Sequence, residues 1–124
     1  MLKLRVSLPD GRPLALEALQ SERAHERVQG WLGREAVRPG EGLLLAPCGS
    51  IHTVGMRFSI DVAFLDRRGR VLKLYPDLRP GRLAWGPWTA LLLPWRTMAL
   101  ELPAGALAQA GVQVGQVLRL ESGG

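Results

Sequence analysis

The chain has 124 residues and a mass of 13.6 kDa, room for one core of useful size and not for two full domains. Apolar residues make up 47% and charged residues 22%, a globular composition that excludes intrinsic disorder. Sixteen Lys+Arg against eleven Asp+Glu give +5, but the charges are interspersed and no run of five like charges occurs, so a nucleic-acid partner is disfavoured.

Cys48 is the single cysteine. It excludes a disulfide within the chain and a zinc site of the Cys-rich kind. Charged residues interrupt every apolar step of Met1–Val6, so no secretory segment opens the chain. The longest charge-free apolar stretch, Leu83–Trp95, is thirteen residues with two prolines, too short to span a bilayer. A cytoplasmic protein with no membrane partner is the expectation.

Leu2, Leu4, Val6 and Leu8 alternate with Lys3, Arg5 and Ser7, the pattern of a half-buried strand. Pro9–Pro13 is a turn, and Leu14 and Leu16 restart a short strand to make a hairpin. From Ser21 the period changes: Ala24, Val28 and Leu32 predict an amphipathic helix over 21–31, capped by Ser21 and stopped near Gly33. Leu43–Ala46 reads as a buried strand, broken by Pro47–Ser50. Phe58, Ile60, Val62 and Phe64 alternate with smaller residues, then Asp66–Gly69 turns the chain into a return strand over Val71–Tyr75. Pro76–Pro94 reads as irregular, or as short edge strands. Met98–Leu102 predicts a strand, Pro103 a helix that stops at Gly111, and Val117–Leu120 a last strand. The predicted core is Leu4, Val6, Leu43, Leu45, Phe58, Ile60, Val62, Phe64, Leu72, Leu100, Leu102 and Leu118. The fold class is α+β: a single domain over 1–124, with a curled, mostly antiparallel, barrel-like sheet and two short helices.

Three segments together carry a resemblance: Arg27–Arg34, Cys48–Asp66, and Leu100–Gly105 followed by Gly111 and Val114–Gln116. The chain resembles, over about 22–120, the domain of unknown function 192 family, also called uncharacterised protein family 0127. The resemblance implies a small α+β domain with a strongly curved sheet and implies no activity. The family usually has Pro at the place of Ser59 and Asp at the place of Gln116; a turn-capping role there is one that Gln can partly mimic.

Cys48, Ser50, His52, Thr53, Arg57 and Asp61 concentrate the reactive and polar groups of the chain. Cys48 and His52 suggest a Cys–His nucleophile, provided the backbone turns near Gly49; the plainer reading makes Cys48 a small buried hydrophobe. Cys48, His52 and Asp61 could hold a metal, but the only other histidine, His25, lies on the expected helix, and no metal site or cofactor is expected. Period two puts Asp61 opposite Phe58, Ile60, Val62 and Phe64, with Ser59 and Ala63 leaving space beside it. A pairing with Arg57 or Arg96 is its structural role and a ligand contact its functional one.

These residues predict a binding or accessory module for a small anionic ligand or a peptide end, with Ser50, His52, Thr53, Arg57 and Asp61 lining one pocket mouth and Cys48 at its edge. An alternative is a small hydrolase or transferase using Cys48, His52 and Asp61. A second is a nucleic-acid binder through 67–88, where Arg67, Arg68, Arg70, Lys73, Arg79 and Arg82 precede Trp85 and Trp88; the plain reading there is a solvated hairpin tip.

Overall fold

The computed structural model describes residues 2–21, 31 and 34–122. Among these the chain runs β1 (Leu2–Ser7), β2 (Pro13–Ser21), β3 (Glu41–Leu45), β4 (Ser50–His52), β5 (Ile60–Asp66), β6 (Val71–Leu78), β7 (Leu83–Trp85), α1 (Trp88–Leu92), a 3-10 turn (Pro94–Arg96), β8 (Thr97–Pro103), α2 (Ala106–Ala110) and β9 (Arg119–Ser122). Seven strands form one sheet in the order β6-β5-β8-β3-β2-β1-β9, and β4 and β7 form a separate two-stranded ribbon. All the pairings are antiparallel except β2 with β3. No helix of the described residues is long and apolar enough to cross a membrane.

The central strands are covered on both faces, which is why they read as apolar runs rather than clean alternations. Ile60, Val62 and Phe64 of β5 pack with Leu43, Leu45, Ala99, Trp31 and the ribbon's Ile51 and Ala84. Ala63 and Leu65 pack on the other side with Leu4, Val6, Leu100, Leu102, Leu107 and Leu118. The sheet curls without closing into a barrel. Among the described residues its edges meet at one end, where the Val71 N–H donates to Gln116 O at 2.8 Å and the Leu118 N–H to Gly69 O at 2.9 Å. The β5–β6 hairpin forms as expected, with Gly69 at φ +91 in its turn.

Several boundaries differ from the sequence reading. Of the expected core, Leu72 and Phe58 are half-buried and the others buried. The strand begun at Leu14 continues to Ser21, so Ser21 closes a strand; the rest of the expected helix over 21–31 lies outside the described residues, apart from a buried Trp31. Pro103 ends β8 instead of opening a helix, because Gly105 in a left-handed conformation carries the turn into α2, which does stop at Gly111. Among the described residues a short helix, α1, also arises in the proline-rich segment, which reads from sequence as irregular. That segment also feeds β6, which runs on to Leu78 through Pro76; an edge strand tolerates the missing N–H.

Candidate functional site

The ribbon is the platform of the site. Ile51 faces Ala84 and both are buried against the β5 face, while Ser50 opposite Trp85 and His52 opposite Leu83 are exposed. The backbone bonds that bracket the ribbon are Gly86 N–H to Gly49 O and Thr53 N–H to Arg82 O, each 2.9 Å. Antiparallel alternation therefore puts the 50/85 and 52/83 pairs at the positions where opposed side chains come closest. Gly86 makes this seat possible. A Cβ there would lie 3.0 Å from Gly49 O, 3.1 Å from Ala90 Cβ and 3.3 Å from Phe64 Cδ1, so only hydrogen lets ribbon, α1 and core meet.

Thr53 ends the ribbon and is fully buried. Its hydroxyl donates to Arg79 O at 2.6 Å and accepts the Arg82 N–H at 2.9 Å, which ties the loop after β4 to the turn before β7. The Met56 N–H donates to Thr53 O at 3.2 Å, and Gly55 at φ +86 lets this turn reverse the chain. His52 precedes the turn and Arg57 follows it; both are exposed. The Arg57 Nη1 lies 4.0 Å from Glu35 Oε1, an exposed and weakly bound pair. Cys48 is half-buried, with its thiol donating to Ser50 O at 3.0 Å.

Asp61 overturns the expectation of one pocket mouth. Its side chain is fully buried on the far face of β5 from the ribbon, and its carboxylate accepts three backbone N–H groups: Asp77 at 2.9 Å, Gly105 at 3.1 Å and Leu107 at 2.9 Å. The space expected beside it is filled by the β8–α2 turn, and its partners are backbone amides, not Arg57 or Arg96. Thr53 is likewise spent on the backbone. Ser50, His52 and Arg57 reach solvent, with Cys48 at the ribbon's edge; the Cys48–His52–Asp61 constellation is not assembled. Among the described residues no three His, Cys, Asp or Glu side chains come together as a metal site; His25 lies outside those residues.

The basic segment also separates. The Asp66 carboxylate accepts the Arg68 and Arg70 N–H groups, closing the hairpin turn, and the Arg70 guanidinium donates to Gly115 O. Trp85 and Trp88 belong instead to the ribbon and α1. A groove of about 670 Å³ lies over β1 and β2, lined by both Lys3 and Arg5 and Glu17, Glu41 and Glu121. None of the candidate residues borders it.

Two features escaped sequence reasoning. Leu83 and Trp85 share the ribbon's outer face with His52 and Ser50, a pairing hidden because proline and tryptophan obscured β7. Glu101 is a buried carboxylate, opposite Leu43 on one side and Val62 on the other, on the sheet face that carries the ribbon. A glutamate alternating in phase with Ala99 on an apolar strand was the available signal.

The DUF192 model, described as Uncharacterized ACR, matches residues 6–120. The chain belongs to the DUF192 family. Two solved structures share the DUF192 chain's fold. One is a Sinorhizobium meliloti 1021 protein described provisionally as a transcription regulator, 19% identical, with a TM-score of 0.75 over 96% of this chain and 92% of that one. The other is a protein of unknown function from Novosphingobium aromaticivorans DSM 12444, 18% identical, with a TM-score of 0.71 over 94% and 83%. No curated protein matches the chain. The Gln116 of this DUF192 member caps a turn: its Oε1 accepts the Gln113 N–H at 2.9 Å.

Proposed function

We propose that the chain is a binding module for a small anionic ligand, a carboxylate or phosphate that is free or at a peptide end, taken up on the outer face of the β4–β7 ribbon. The observation that carries this reading is the outward presentation of Ser50 and His52 from a ribbon whose inner side chains, Ile51 and Ala84, are locked into the core. A hydroxyl and an imidazole can hydrogen-bond an oxyanion, and Arg57, one residue beyond the Thr53–Met56 turn, supplies a charge able to bind it in two places. Thr53 and Asp61 serve by fixing the backbone on either side.

The test is a thermal-shift screen with inorganic phosphate and small dicarboxylates. A ligand present at 100 times its Kd raises stability by about 2.7 kcal/mol. His52→Ala and Arg57→Ala should abolish the shift while changing the unliganded stability by no more than about 0.5 kcal/mol, since both side chains are exposed. The reading fails if no anion shifts the wild type, or if both variants keep the shift.

A further inference from the structure

We infer that the segment Leu83–Trp95 is a docking surface for an anionic lipid bilayer, on which the protein rests without crossing it. Leu83, Trp85, Trp88, Leu92 and Trp95 are each half exposed or more, and they make up half of the large hydrophobic side chains exposed among the described residues. Leu83 and Trp85 stand together on the ribbon's outer face and Trp88 and Leu92 on one face of α1; grouped exposed apolar side chains mark an interaction surface, where single ones would not. The local geometry keeps these groups outside. α1 packs onto the ribbon through Ala90, which is buried and borders Gly49 and Gly86. Trp88 and Leu92 stand four residues apart and so share one helix face, the face turned from Ala90. Nothing in the fold requires an exposed indole at the start of a five-residue helix.

The charges that flank this segment in the chain select its partner. Arg79, Arg82 and Arg96 are exposed, and the sequence has no Asp or Glu between Asp77 and Glu101. A second copy of the chain, packed about a two-fold axis, would set these arginines against their own equivalents without a carboxylate to receive them. A nucleic-acid strand could stack on the tryptophans but offers nothing to Leu83 and Leu92. An anionic bilayer accepts all three kinds of group: aliphatic side chains and indole rings at the acyl boundary, indole N–H at the headgroup level, and guanidinium groups on the lipid phosphates. The sequence expectation of no membrane partner rested on the length needed to span; lying in the interface has no such requirement. The surface adjoins the proposed ligand site at Leu83 and Trp85, which share the ribbon's outer face with His52 and Ser50, so the substitutions that test it are placed at Trp88 and Leu92, outside that site.

The experiment is cosedimentation of the purified chain with vesicles of phosphatidylcholine containing phosphatidylglycerol, and with pure phosphatidylcholine, following tryptophan emission as well. We expect partitioning to the anionic vesicles with a blue shift in emission, weaker by about tenfold or more on the neutral ones. The double variant Trp88→Ser/Leu92→Ser should lose partitioning by about tenfold at unchanged circular dichroism, and Arg82→Gln/Arg96→Gln should weaken it most at low salt. Absence of partitioning overturns the inference. So does equal binding by the Trp88→Ser/Leu92→Ser variant, which would reduce the effect to net charge. A wild-type dimer that the same variant converts to monomer would assign the surface to a second copy and also overturn it.

Discussion

Asp61 and Leu107 are 46 residues apart in sequence, yet the Leu107 N–H donates to Asp61 Oδ2 at 2.9 Å. The same carboxylate also takes the N–H groups of Gly105 and Asp77. One buried side chain thus holds together the end of β6, the middle of the sheet and the first turn of α2. A buried carboxylate without such donors would be costly; with three it becomes a junction of the fold.

Asp61→Asn tests this junction. An amide offers one oxygen acceptor where the carboxylate offers two, and turns an NH2 toward at least one backbone N–H. The loss should be about 2–4 kcal/mol, from an orphaned buried donor and weaker bonds to the remaining ones. Urea unfolding should show a lower midpoint at unchanged slope. A loss under about 1 kcal/mol would mean that the surrounding turn has water or slack to spare.

Phe64→Ala should cost about 3–5 kcal/mol, because the ring is fully enclosed and its loss leaves a cavity in the core. Its ring meets Tyr75 edge-on, with centroids 5.9 Å apart, and its Cδ1 closes against Gly86. The Tyr75 hydroxyl in turn donates to Trp85 O at 2.7 Å. Loss of the ring should therefore loosen the ribbon as well as the core. Hydrogen exchange at Ile51 and Ala84 should accelerate more than exchange along β1.

The elements that the sequence makes legible are those set by local pattern. The β5–β6 hairpin follows from alternation around a glycine turn, and β1 follows from charges spaced every second residue. What stayed hidden is set by distant partners. Asp61 sits opposite Ile60, Val62 and Phe64 as period two requires, but only the return of β8 and α2 shows that its side is closed. Ser50 and His52 lie in a suspicious cluster, yet their neighbours Leu83 and Trp85 come from a segment whose prolines mask a strand. The pocket-mouth expectation treated nearness in sequence as nearness in space, and a strand in that stretch sends alternate side chains to opposite faces.

Acid should weaken one tie at the start of β3. Glu41 accepts two bonds from the Arg34 guanidinium, at 2.9 and 3.1 Å, and one from the Arg38 N–H at 2.7 Å. The hydrogen-bonded Arg34 above all holds the Glu41 carboxyl below its usual range. A carboxylate whose folded pKa is depressed stabilises the fold above its unfolded pKa and loses that contribution as pH falls through the folded value. The pair is partly open to solvent, so the contribution is about 0.5–1 kcal/mol. Glu41→Gln should lower stability by that amount at neutral pH and reduce the fall in stability between pH about 4.3 and the folded pKa. An unchanged acid limb in the variant would show that the guanidinium bond contributes nothing to folding.

Gly69 joins the two ends of the curled sheet, and its replacement should open them. Its φ of +91 belongs to the region that L side chains rarely adopt. A Cβ at this place would also run into the carbonyl oxygen of Leu118, which is backbone and cannot rotate away. The same glycine accepts the Leu118 N–H through its own carbonyl at 2.9 Å. Conformational strain alone costs on the order of 1–3 kcal/mol, and the steric contact must then be relieved by moving the backbone at Leu118, which leads into β9. Gly69→Ala should therefore destabilise by about 2–4 kcal/mol. The damage should be local first: amide exchange at Leu118 and Val71 should rise before that of β5 and β8. Uniform acceleration across the sheet would instead mean that the meeting of the edges is part of the cooperative core, and that the open sheet behaves as a closed one.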